Sequence, residues 1–342
     1  MTTVIEPNLL DRAIVCPLCP LMCDDVELNQ DGRLRAEHCE IANQFHSGEN
    51  RGKPDSVRGN WSRRPLRIIT TGTDLVLARH LAAWHSQGKI TLTIETDRCV
   101  AAMLATVSRD GIVSATLAEV RAHCDSIGFF GDVESTYPRI GQKLSLERFE
   151  PASIKRWFRV DAEELARQFV ELASASPQPL RDSNYTAVLV GPDAFVEGEE
   201  AITSSMISRW VRKRNENTRT VCVTLDPAAT LRSVCLWTNN TIPGSESFQS
   251  DSEQHFDIRL GSPLNRQSNP ADWQIGGVDP GASLAKVFSP ASQAGIDHAS
   301  MMIRGDGSVS LPLVRKRDQG LTTPSAMLAS ELDRLKHCKI DQ

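Results

Sequence analysis

LRIITTGTDLVLARHLAAWHSQGKITLTIE, residues 66 to 95, decides the fold class. Leu66 to Ile69 reads as a short strand, in which Leu66 and the β-branched Ile68 and Ile69 accompany Arg67. TTGTD at 70–74 is a loop whose Thr or Asp supplies a helix N-cap, because a side-chain oxygen there can accept from the first free helical amides. LVLARHLAAW (75–84) has helical period, Gly88 stops it, and ITLTIE (90–95) is a second buried strand. Strand, helix and strand in that order form a βαβ unit and hence a parallel sheet.

The alternation continues downstream. A helix is expected at about Val100 to Arg109, followed by a turn at Asp110-Gly111. Helix 116–123 leads into strand SIGFFG (126–131) and the loop DVESTYPR, and polar residues at such a strand's carboxyl end sit where open α/β sheets bind ligands. Residues 140–158 are of mixed character. Residues 161–174 form an amphipathic helix, 185–191 a strand, 199–215 a helix and 220–226 a strand. TNNTIPGSESFQSDSEQ (238–254) reads as a long surface loop. ADWQIGGVDPG (271–281) is one more strand and loop, and 286–316 holds short strands about the Gly305-Asp306-Gly307 turn. Pro324 to Lys336 closes as a helix.

Upstream, CPLCPLMCDD (16–25) places Cys16, Cys19 and Cys23 within eight residues, and Cys39 completes C-x2-C-x3-C-x15-C. The alternation from Asp25 and the turn chemistry of Asn29 to Gly32 predict a hairpin that carries Cys39 back to the first three. Four such thiols suit a 4Fe–4S cluster, with a structural zinc as the competitor and an empty vestige as the bland reading. Cys99, at the carboxyl end of strand 90–95, stands where a metal-ligating or nucleophilic thiol can serve, although small packing explains most such cysteines. Cys124, Cys222 and Cys235 fall in core elements. His80, His85 and His123 lie on helix faces without partners at ligand spacing, and RWVRKRN (209–215) reads as a solvated helix end. The polar, glycine-bearing stretch 46–64 reads as a linker. The expected division is a Cys-rich subdomain and linker over 1–62, α/β lobes over 63–180 and 181–260, and a strand-rich segment with a helix over 261–342.

Composition narrows the function classes. A net charge of -5 lacks the basic balance of a nucleic-acid binder. No run approaches the roughly eighteen apolar residues of a membrane span. The first residues lack a basic region followed by an apolar one, so no secretory signal is expected and the thiols are read as cytoplasmic and reduced.

These pieces resemble a family. CPLCPLMCDDVEL with Cys39 and Phe45, RRPL (63–66), CDSIGFFGDVESTYPR (124–139), FDIRLGSP (256–263), VDPGA (278–282) and residues 289–316 are similar to the B-type chain of formylmethanofuran dehydrogenase. The resemblance covers most of 13–330, with gaps. It implies a multi-lobed molybdopterin-oxidoreductase-like α/β fold with a small N-terminal iron–sulfur-type subdomain. It also implies Cys16, Cys19, Cys23 and Cys39 as cluster ligands and Cys99 at the metal-ligand position of a molybdenum or tungsten bis-pterin. In the related bacterial formyltransferase/hydrolase complex, the family's B-type chain is a scaffold for the A, C and D subunits in tetrahydromethanopterin-linked oxidation of formaldehyde to formate.

This sequence departs from the family at the pterin-related positions. Cys99 is followed by Val100 and Ala101 where the family has His and Gly. The strand-end loop is TTGTD, a strand expected after YPR is replaced by GQKLSLERFEPASIKRW, and LDPAAT (225–230) stands where an Arg and a His are expected. The expectation is a non-catalytic B-type chain without molybdopterin or tungstopterin. The alternatives are a catalytic molybdenum or tungsten subunit and a zinc-ribbon adaptor.

Overall fold

The structure is a computed structural model. It describes residues 13–29, 33–45, 51–52, 64–173, 182–239, 242–243, 255–261 and 270–340. The chain opens with β1 (Ala13–Ile14), β2 (Val26–Leu28) and β3 (Leu34–Arg35), an antiparallel sheet in that order, then α1 (Glu40–Asn43). The expected hairpin is the β2–β3 pair, and its turn at 30–32 lies outside the described residues. β4 (Leu66–Thr70), α2 (Leu75–Ser86) and β5 (Thr91–Ile94) form the predicted βαβ unit, with β4 and β5 parallel. Asp74 is its N-cap: Val76 N and Leu77 N both donate to Oδ1.

The chain divides into two compact units, the first drawn from 1–95, 227–304 and 309–342, the second from 96–226 and 305–308. The second unit contains α3 (Arg98–Asp110), α4 (Leu117–His123), β6 (Ser126–Phe130), α5 (Val133–Thr136), α6 (Ile140–Leu144), β7 (Ile154–Trp157), α7 (Ala162–Ala173), β8 (Tyr185–Val190), α8 (Glu200–Arg214) and β9 (Arg219–Thr224). Its four strands run parallel in the order β7-β6-β8-β9. β6 and β8 are buried along almost their whole length, as central parallel strands covered on both faces must be. β7 is a finding against the mixed reading of 140–158 and against the expected replacement of a strand after YPR, since a strand parallel to β6 does follow within GQKLSLERFEPASIKRW. Its IKRW sequence carries exposed Lys155 and Arg156, which suit an edge strand and mask the β pattern.

Returning to the first unit, the chain forms α9 (Ala229–Asn239), β10 (Phe256–Leu260), β11 (Ala271–Ile275), β12 (Ala285–Ser289), β13 (Ser300–Ile303), β14 (Ser310–Leu313) and α10 (Pro324–Ile340). The parallel sheet runs β12-β11-β10-β4-β5, and β13 pairs antiparallel with β14. Leu77, Leu81, Leu231 and Val234 from α2 and α9 pack in one core with Ile68, Phe256 and Ile258 of the sheet. The opposite side of the strands carries polar residues: Arg67 makes a two-pronged pair with Asp257, both bonds at 2.8 Å, and both residues are buried. Most of the expected loop 238–254 lies outside the described residues.

The consecutive lobes 63–180, 181–260 and 261–342 are not how the chain divides. β4 takes as one neighbour β10, whose Asp257 lies 190 residues from Arg67, so the first sheet is closed by segments from both ends of the chain. Non-local pairing of this kind leaves no mark in local periodicity.

Both parallel sheets reverse their strand order once. In the first unit the reversal falls between β4 and β10, in the second between β6 and β8. Backbone closes tightly in both places. Gly72, in the loop after β4, lies where a Cβ would overlap Pro227 O. Gly131, at the end of β6, has φ +82° and a Cβ there would overlap Pro192 O, while Asp132 N donates to that same carbonyl at 2.7 Å. Gly131→Ala should therefore destabilise the protein by about 3 kcal/mol or more. Gly198→Ala, with φ +87° but nothing within 4 Å, should cost only about 1–2 kcal/mol. Urea unfolding of the two variants checks the difference, and equal costs would contradict the closure.

Candidate functional site

The cysteine loop is shaped by its own backbone. β1 and β2 pair Ala13 with Glu27 and Ile14 with Val26, which brings the ends of 16–23 together. Cys16 N donates to Cys23 O at 2.7 Å, and Met22 N to Cys19 O at 3.2 Å. Met22 (φ 46°) and His38 (φ 55°) adopt left-handed backbone, and each stands immediately before a cysteine. The β2–β3 hairpin returns the chain so that Cys39 opens α1, where the Asn43 amide clamps Ala36 N and O. Met22 is anchored against Ala294 and Leu313, so the loop is seated on the C-terminal segment of the same unit.

Cys16, Cys23 and Cys39 are buried, Cys19 is half-buried, and none of the four is in a disulfide. Burial pushes the Cys19 thiol up to about 12, and neighbouring Cys23 and Cys39 push the same way. Burial likewise raises Cys16 far above its ordinary range, with Cys19, Cys23 and Cys39 adding to it. Four thiols thus share one electrostatic neighbourhood. Among the described residues no three His, Cys, Asp or Glu side chains are arranged to hold a metal ion. The loop therefore gathers four soft sulfur donors that are not already arranged as a metal-binding shell.

Cys99 has a different environment. Asp97 caps α3, accepting from Cys99 N at 2.9 Å and Val100 N at 3.2 Å, which fixes Cys99 in the first turn. Its sulfur accepts from Phe195 N at 3.3 Å and is enclosed with Met103, Phe130, Val190 and Phe195 in the core of the second unit. It is fully buried, and burial pushes its thiol up to about 11. A thiol held neutral in an apolar core is a packing group. Cys124 and Cys222 are buried and pushed up to about 12 by the same cause, and Cys235 is raised as well. His80 stacks on Trp84 of its own helix, and His85 Nδ1 lies 3.3 Å from Ile90 O, just before β5, so both have structural partners.

Sequence reading missed a third grouping in the first unit. Ser292 Oγ lies 2.9 Å from His298 Nδ1, whose Nε2 faces Asp74 Oδ2 at 3.9 Å, and Ser300 Oγ donates to Asp74 Oδ1 at 2.7 Å. The segment joins Asp74 across more than two hundred residues, so no spacing could reveal it. No helix among the described residues is long and apolar enough to cross a membrane.

The fold and its site define an α/β protein of two parallel-sheet units with a cysteine-bearing N-terminal loop. No protein-family model and no curated protein matches the sequence. Among solved structures, the chain is similar to one from the formyltransferase/hydrolase complex (FhcABCD) of Methylorubrum extorquens, a complex solved with methylofuran. The identity is 16%, the TM-score 0.59, and the match covers 86% of this chain and 99% of that one. At that identity the likeness is one of fold.

Cys99, Cys124 and Cys222 give the second unit a pH signature. Each thiol is raised above its ordinary value of 9.0 in the folded protein. Their contribution is complete below about pH 9 and is lost as pH rises through the folded values, because the unfolded chain releases these protons first. Urea midpoints should fall between pH 8 and pH 10. The fall should be smaller in Cys99→Ala/Cys222→Ala, and an identical slope in both proteins would contradict the burial of these thiols.

Proposed function

We propose that this chain is a structural, B-type component of a formyltransferase/hydrolase-like complex in one-carbon metabolism. The observation that carries the reading is the shared fold, which extends over nearly the full length of the matching chain. The proposed partners are A-, C- and D-type subunits that perform the formyl transfer and hydrolysis, with a tetrahydromethanopterin-linked formyl carrier. Nucleic acid and membrane have no place in the reading.

Two local features support a scaffold over a molybdenum or tungsten subunit. Cys99, at the position expected to ligate the metal, is taken up by the core of the second unit and by Phe195 N. The loops where open α/β sheets admit phosphates are occupied by backbone: Gly72 against Pro227 and Gly131 against Pro192. The residues present do not fit a bis-pterin, which needs open backbone and side-chain donors there. Cys16, Cys19, Cys23 and Cys39 fit a 4Fe–4S cluster better by donor type, being four clustered soft sulfurs in a largely buried loop. When bound, such a cluster supplies one-electron transfer. This chain's part is to present the four thiols and shield them through Met22 and its neighbours. A stand-alone zinc-ribbon adaptor would not need two parallel sheets.

Purification of the tagged full-length chain from its native cells, with native mass spectrometry, tests the assembly. The expected result is a stable complex containing formyl-transferring and formyl-hydrolysing chains. Recovery of this chain alone, or with unrelated proteins only, would overturn the proposal.

A further inference from the structure

The Ser292, His298 and Asp74 grouping belongs to neither the cysteine loop nor the Cys99 core. It lies at the carboxyl edge of the first unit's sheet, formed by the loop after β4 and the segment after β12, the edge at which parallel sheets carry their sites. Asp74 and Ser292 are buried, and the His298 side chain is 21% exposed. Burial pushes the Asp74 carboxyl up, but His298, Ser300 and the Leu77 amide outweigh it and hold the group below its ordinary range. Asp74 is therefore an anion and can only accept. His298 Nε2 faces it at 3.9 Å, and in the tautomer that carries its proton on Nε2 the Nδ1 atom accepts from Ser292 Oγ–H. That is the polarity a nucleophile and its base require.

We propose that Ser292 is a nucleophilic serine, with His298 as its general base and Asp74 as the positioning residue, and that it acts on small acyl esters. The inference stands apart from the proposed scaffold role. In the reaction, Ser292 Oγ bonds to the acyl carbon and its proton passes to His298 Nδ1. The C–O bond to the leaving alkoxide breaks, and the alkoxide takes the proton from Nδ1. Water, deprotonated by the same nitrogen, then cleaves the acyl-serine to the carboxylic acid and regenerates the hydroxyl. The amide after Ser292 is unavailable to the oxyanion, because Gln293 N donates to Asp297 Oδ2 at 2.9 Å. The Thr71 and Thr73 hydroxyls, in the Asp74 loop, are buried and have no hydrogen-bond partner among the described residues. The order of the three residues along the chain is immaterial, since such groupings are recognised by geometry and role.

The test treats the full-length chain with an alkyl fluorophosphonate. Serine oxygen attacks phosphorus, the P–F bond breaks and fluoride leaves. Intact mass and peptide mapping should show one adduct, on Ser292, absent from Ser292→Ala. His298→Gln should slow labelling by about a hundredfold or more. Asp74→Asn, which retains a capping side chain, should slow labelling about tenfold and move its pH profile in a chain that still folds, as circular dichroism checks. A folded wild-type chain without an adduct on Ser292 would overturn the proposal, as would His298→Gln labelling at the wild-type rate.

Discussion

The close approach of backbone at the carboxyl ends of the parallel strands is the constraint on which the rest of the molecule depends. In the second unit, Gly131 and Asp132 meet the Pro192 carbonyl directly, and Gly191 N donates back to Phe130 O. The loops after β6 and β8 are thereby locked to one another at the reversal of strand order. In the first unit, Gly72 meets Pro227, so the loop that leads into the Asp74 cap is held by the chain entering α9. Parallel α/β sheets usually leave room at these reversals for a ligand. At Gly72 and Gly131 that room is used to hold loops together.

The cysteine loop depends on the same unit in another way. Met22 needs left-handed backbone to fold the loop and a buried seat beside Ala294 and Leu313 to hold it. The segment that supplies this seat also carries Ser292 and His298, and His298 faces the N-cap of α2. The N-terminal thiols, the C-terminal segment and the loop after β4 therefore form one packed sequence of contacts within the first unit. The buried Arg67–Asp257 pair fixes the strands beneath it, because leaving either charge unpaired inside a sheet is costly.

Much of this was legible in the sequence. The stretch 66–95 carried a strand, a helix with an Asp cap and a second strand, and each is in place because the signals are local: apolar runs, a capping oxygen and a stopping glycine. α9 was not legible. Its Leu231, Val234 and Cys235 fall at helical spacing, but Thr, Ser and Asn dilute the pattern and the preceding Asp-Pro reads as a turn. The pairing of β4 with β10, and with it the discontinuous first unit, lies beyond any window of local periodicity. The four cysteines were visible as a group from spacing alone. The burial of Cys99 followed only from tertiary packing against Phe195 and Phe130.

The central claim is that the chain is a scaffold whose strand-end loops are closed to a pterin. The most direct measurement is the molybdenum, tungsten, pterin, iron and acid-labile sulfide content per chain after anaerobic purification of the native assembly. The account predicts molybdenum, tungsten and pterin far below one per chain, with about four irons per chain where the thiol cluster is filled. One molybdenum or tungsten per chain, together with its pterin, would contradict it.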